Sequence, residues 1–68
     1  MNLLNKVKFY REKKNMTQEQ LVAKSGVSRP IISDLETGKK TDIKAKTMIA
    51  IADALGEKIQ DVFFCNES

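Results

Sequence analysis

Histidine and tryptophan are absent from this chain, cysteine and proline occur once each, and glycine occurs three times. Without histidine the chain lacks the side chain that most often moves protons at neutral pH, and it lacks the usual base beside a nucleophile. The single Cys65 cannot close an intrachain disulfide and, with no histidine, cannot build a zinc site; it reads as a small apolar residue. Gly26, Gly38 and Gly56 stand 12 and 18 residues apart, which is the spacing of helix ends and not of a loop that cradles phosphate. The longest apolar stretch, near Met48 to Leu55, is interrupted by Asp53 and falls well short of the roughly 20 residues that span a bilayer. Met1 to Tyr10 carries two lysines without an apolar centre, so it does not read as a signal peptide. The expectation is a soluble cytoplasmic protein that is not an enzyme, with no metal, no cofactor and no membrane association.

What remains is a chain of 68 residues, read as one domain over 1–68. A domain of that size buries only about 60% of the surface its unfolded form exposes. With no staple to help it, stability has to come from an apolar core packed by helices. The net charge of +3 is unevenly placed: residues 1–40 carry nine basic and four acidic groups, and residues 41–68 carry three basic and five acidic. The basic part is suited to meet a polyanion, although a solvated lysine-rich surface gives the same tally.

Apolar residues recur at helical spacing and never alternate as in a strand. Leu3, Leu4, Val7 and Tyr10 make one stripe of a first helix running to about Lys14, with Arg11 on its edge. Thr17-Gln18-Glu19-Gln20 is a capping-box pattern that opens a second helix, which buries Leu21 and Val22 and ends at Gly26 in a left-handed conformation. Val27 folds back as a plug. Ser28 caps a third helix that tolerates Pro30 in its first turn. There Ile31, Ile32 and Leu35 face inward, and Arg29, Pro30, Ser33, Asp34 and Thr37 face outward. Glu36 lies four residues after Ile32, another charge on an apolar edge and the natural partner for Arg11; periodicity alone equally allows two unrelated surface charges. Gly38 ends this helix, and a polar connection runs from Lys39 to Lys44. Ala45, Met48, Ile49, Ala52 and Leu55 trace a fourth helix closed by Gly56, and Ile59, Val62 and Phe63 a short fifth, before a tail over 64–68 that is expected to fray.

Two short helices joined by a Gly-containing turn, here at about 17–37, with a polar outer face on the second, constitute a helix-turn-helix. Such a face is suited to the major groove, about 12 Å wide, which admits one α-helix and displays base edges. The stretch from Thr17-Gln18-Glu19-Gln20-Leu21 through Gly26-Val27-Ser28-Arg29 to Ile32-Ser33-Asp34-Leu35-Glu36-Thr37-Gly38-Lys39 resembles the XRE-type family of lambda-repressor and Cro-like proteins. Ile51 to Gly56 and Ile59 to Phe63 resemble that family's fourth and fifth helices. The resemblance implies an all-α, compact five-helix, lambda-repressor-like fold. It also implies a transcriptional regulator, most often a repressor, that binds a two-fold DNA operator as a homodimer. It places Arg11 and Glu36 at positions that commonly form an internal ion pair.

Carried over residue by residue, the resemblance puts Ser28, Arg29, Pro30, Ser33 and Asp34 toward the bases. Arg29 can make two hydrogen bonds to a guanine edge, or can instead touch phosphate. Asp34 can accept from cytosine or orient Arg29. Thr17, Gln18, Thr37, Lys39, Lys40 and Lys44 are placed toward phosphates, with solvated lysines as the plain alternative. Ile59, Val62, Phe63 and Phe64 are the candidate dimer surface, or else close the core. The chain departs from the family at Pro30, which cannot donate a hydrogen bond; at Val22, usually alanine; at Lys58, usually a serine cap; and in the Lys39–Lys44 connection. A bacterial or phage origin, with the protein on the nucleoid when bound, follows from the resemblance alone. An antitoxin-like interaction module with secondary DNA binding is the alternative. The chain shows no second domain large enough to hold a ligand pocket, so no small-molecule ligand is expected.

Overall fold

The structure, a computed structural model, describes residues 5–39 and 42–63. Leu3 and Leu4 of the first stripe, Lys40, Phe64, Cys65 and the rest of the tail lie outside the described residues. Five helices follow one another: α1 (Val7–Lys13), α2 (Gln18–Ser25), α3 (Arg29–Thr37), α4 (Ala45–Leu55) and α5 (Ile59–Phe63), with no strand among the described residues. This is an all-α fold of the lambda-repressor-like kind.

Local chemistry sets the helix ends. At the start of α2 the Thr17 hydroxyl accepts from the Gln20 N–H at 3.0 Å, and the Gln20 side-chain oxygen accepts from the Thr17 N–H at 2.8 Å. The box satisfies two groups that the helix itself leaves unpaired. Gly26 closes α2 at φ 76°, and a Cβ added there would meet nothing within 4 Å. The left-handed backbone, not crowding, therefore selects glycine. The end of α1 has no glycine. Asn15 takes φ 55° instead, its N–H donating to the Glu12 carbonyl and that of Met16 to the Arg11 carbonyl, both at 3.0 Å. This is the closing pattern glycine usually provides, carried by the residue type that best tolerates the conformation after glycine. Ser28 occupies the N-cap position of α3 but makes no side-chain capping bond.

The start of α1 is stitched to the ends of two other helices. Asn5 accepts the Val7 N–H at 3.0 Å through its side-chain oxygen and donates to the Leu35 carbonyl at 3.1 Å, while the Lys6 N–H donates to the Val62 carbonyl at 2.7 Å. The core is Val7, Leu21, Val27, Ile32, Leu35, Ile51, Ala52, Leu55 and Val62. Helix α4 packs against α1, α2 and α5, and α3 packs against α1 and α2.

The burial corrects one expectation and chooses between two readings of another residue. In α4 the inward residues are Ile51, Ala52 and Leu55, whereas Ile49 is 57% exposed and Ala45 is exposed. The helix is apolar on most of its circumference, so two registers fit its pattern; the one containing Ile51, one turn from both Met48 and Leu55, faces the core. In α5, Val62 has no exposed surface. It closes the core of its own chain, the second of the two readings open for it. Ile31 and Val22 are half-buried at the margin of the core.

The pair Ile51 and Ile49 provides a stability test. Ile51→Ala is expected to cost about 2–5 kcal/mol, and Ile49→Ala to stay within about 0.5 kcal/mol. Urea unfolding with an unchanged slope reads both; equal losses would place the buried stripe wrongly.

Candidate nucleic-acid interface

The turn between α2 and α3 is held from within. Val27 is buried between the two helices, its N–H donating to the Ser25 hydroxyl at 3.1 Å while that hydroxyl donates to the Leu21 carbonyl at 2.7 Å. With Leu21 and Ile32 also sealed, the outer face of α3 is set by default. Ser28, Arg29, Pro30 and Thr37 are exposed on it, and Ser33 and Asp34 are half-buried.

Behind this face lies a polar network. Arg11 donates from Nε to Glu36 Oε2 at 2.6 Å and from Nη2 to Glu36 Oε1 at 3.0 Å, a two-pronged pair between α1 and α3. Its Nη1 donates to the Met16 carbonyl at 2.8 Å, in the connection that the Asn15 turn aims inward. The side chains are 12% and 3% exposed, so both charges are largely removed from water. The hydrogen bond to Glu36 raises the Arg11 pKa, burial opposes the shift, and the charges of Glu36 and Glu12 add to it. A group with a raised folded-state pKa stabilises the fold below its unfolded pKa and loses that contribution only as pH rises through the folded value. For an arginine that window is strongly alkaline, so the Arg11 contribution does not change with pH around neutrality.

Gln18 extends the network to the surface. Its Nε2 donates to Glu36 Oε1 at 2.9 Å. An ionised carboxylate only accepts, so the Gln18 nitrogen must face Glu36 and its oxygen must face away. That oxygen accepts from Arg29 Nε at 3.4 Å. Arg29 Nη1 lies 3.8 Å from Glu19 Oε2, with side chains 60% and 74% exposed. A buried carboxylate thus orients an amide, and the amide orients an exposed guanidinium at the start of α3.

The other sequence candidates divide. Asp34 makes no ion pair among the described residues, and the acid beside Arg29 is Glu19. The spacing explains this, since Asp34 is five residues from Arg29 on α3, beyond the reach of a helical neighbour pair. The Thr37 hydroxyl donates back to the Ser33 and Asp34 carbonyls at 3.0 and 3.3 Å, which turns its proton away from any phosphate. Thr17 is engaged in the capping box, whereas Lys39 and Lys44 are exposed. Ile59 and Phe63 are half-buried on α5. Sequence reasoning missed Asn5 and the Met16 carbonyl, whose roles depend on which helix end comes near. It also missed Glu19, which looked fully explained as part of the α2 cap.

A small helical bundle with a polar, guanidinium-bearing second helix in a helix-turn-helix defines a nucleic-acid-binding class of protein. Residues 7–62 match the helix-turn-helix family. The chain is 48% identical over 59 residues to an uncharacterised HTH-type transcriptional regulator of Methanocaldococcus jannaschii, covering 87% of this chain and 88% of the relative. It is 40% identical over 62 residues to another from Archaeoglobus fulgidus, covering 91% and 86%. The protein belongs to the XRE-type helix-turn-helix family of transcriptional regulators. Both relatives are archaeal, so they lend nothing to a bacterial or phage origin.

Removing one member of the buried pair strands the other. Arg11→Ala is expected to cost about 3–5 kcal/mol, and a double replacement by apolar residues, Arg11→Met with Glu36→Leu, to recover most of it. A thermodynamic cycle in urea measures both; additive losses would show that the two groups are not coupled.

Proposed function

We propose that the protein is a sequence-specific DNA-binding transcriptional regulator, acting in the cytoplasm as a repressor, and that α3 enters the major groove. The observation that carries this reading is Arg29, held at the N-terminal end of an otherwise short-chained polar face by an amide whose orientation is fixed from the core. A helix with its side chains is about 10–12 Å across, which matches the groove. Arg29 reads guanine, and Ser28, Pro30, Ser33 and Asp34 contact neighbouring base edges. Pro30 contributes only apolar contact. Backbone contacts come from Lys39, Lys40 and Lys44, and from the Gln18 and Glu19 N–H groups, which the first turn of α2 leaves without intrahelical partners. The protein performs no catalysis.

One such helix covers too few base pairs for a regulator, so two copies act together on half-sites about 34 Å apart. Of the candidate dimer residues, Ile59 and Phe63 are half-buried on α5 and serve this contact, with Phe64 next in the sequence.

Selection of binding sites from a random duplex pool tests the reading. Wild type is expected to enrich a two-fold sequence with a guanine in each half-site, and Arg29→Ala to lose about 1–3 kcal/mol of discrimination there. Lys44→Ala is expected to weaken binding to all sequences alike and to make the salt dependence shallower by about one. Sequence-indifferent binding by wild type and Arg29→Ala alike would contradict the proposal.

A further inference from the structure

Resting on the DNA-binding reading, a second inference concerns Glu19. Its carboxylate takes no part in the interactions that hold the fold: the capping box uses Thr17 and Gln20, and the buried network uses Arg11, Glu36 and Gln18. It stands at the edge of the face that would approach phosphates, 74% exposed, and among the described residues its one ion-pair contact is with Arg29 at 3.8 Å. An acid in that position repels the DNA backbone and locally cancels the arginine charge. The two contacts on Arg29 differ in kind. Gln18 holds the Nε edge with a neutral oxygen, whereas Glu19 faces Nη1, one of the nitrogens a base edge would need.

We propose that Glu19 is a specificity-determining residue, an internal substitute for phosphate that competes with DNA for Arg29. Non-specific binding draws on phosphate neutralisation and counterion release. When Arg29 exchanges the Glu19 carboxylate for a phosphate, one anion replaces another and little is gained. When it exchanges Glu19 for a guanine edge, two directed hydrogen bonds form while Gln18 keeps the guanidinium aimed. Glu19 therefore lowers affinity for arbitrary DNA more than affinity for the correct site. Glutamine at this position keeps the shape and removes the competition.

The test uses wild type, Glu19→Gln, Arg29→Ala and the double variant, each titrated over a salt series. The probes are a random-sequence duplex and the duplex enriched by wild type. Glu19→Gln is expected to bind the random duplex about two- to fivefold more tightly, with a salt slope steeper by about 0.9. The gain on the enriched duplex is smaller, so the specificity ratio falls. In the Arg29→Ala background the effect of Glu19→Gln largely disappears. Unchanged affinity and slope, weaker binding, or equal gains on both duplexes would overturn the proposal. So would a gain that persists without Arg29, since that is plain repulsion of phosphate. A wild-type protein that binds neither duplex would overturn the DNA-binding reading itself, a result separable from any of these.

Discussion

Glu36 is a carboxylate with 3% of its side chain exposed, and the molecule is arranged around satisfying it. Arg11 supplies two hydrogen bonds and Gln18 a third, and the remaining Arg11 nitrogen is taken by the Met16 carbonyl. Each partner comes from a different stretch of chain, so the pair fixes α1, the connection after it, the start of α2 and the end of α3 relative to one another. A buried ion pair is weak support for stability, because desolvation offsets much of the attraction. Its consequence here is geometric. An acceptor-only group at the centre leaves Gln18 a single orientation, and Arg29 inherits its position from that orientation.

The rest of the bundle meets the demands of small size with ordinary means. Six side chains are sealed almost completely: Val7, Leu21, Ile32, Ile51, Leu55 and Val62. Helix ends are closed by left-handed residues, glycine at three and Asn15 at one. Asn5 and Lys6 use side-chain and backbone groups to tie α1 to the ends of α3 and α5. Such contacts let short helices persist that would be marginal alone.

Much of this was legible from residue spacing. The capping box at Thr17, the Val27 plug, the inward Ile32 and Leu35, and the closing glycines all depend on chemistry within a few residues of sequence. The ion pair between Arg11 and Glu36 was one of two readings that spacing allowed, and the family resemblance pointed toward it. Where spacing failed, the deciding partner was distant or the pattern degenerate. Ile49 and Ile51 are equally apolar in a helix rich in alanine, and only packing chooses between them. Val62 looked available because nothing local shows that α5 folds over the core. Asn15 was unmarked because left-handed asparagine has no motif of its own. In the candidate site the outward face of α3 was readable, but the neighbours of Arg29 were not. Asp34, five residues along α3, is out of reach of Arg29, and the packing of α2 against α3 brings Glu19 to it instead.

The polar network and the outer face of α3 together predict where DNA meets this protein. Titrating ¹⁵N-labelled protein with its enriched duplex maps that surface residue by residue. Amide shifts are expected to concentrate on Ser28 to Thr37 and the start of α2, with the Arg29 side-chain Nε–H moving strongly and Phe9 on the far side of α1 unaffected. Shifts that spare α3 and cluster on α1 or α5 would contradict the account.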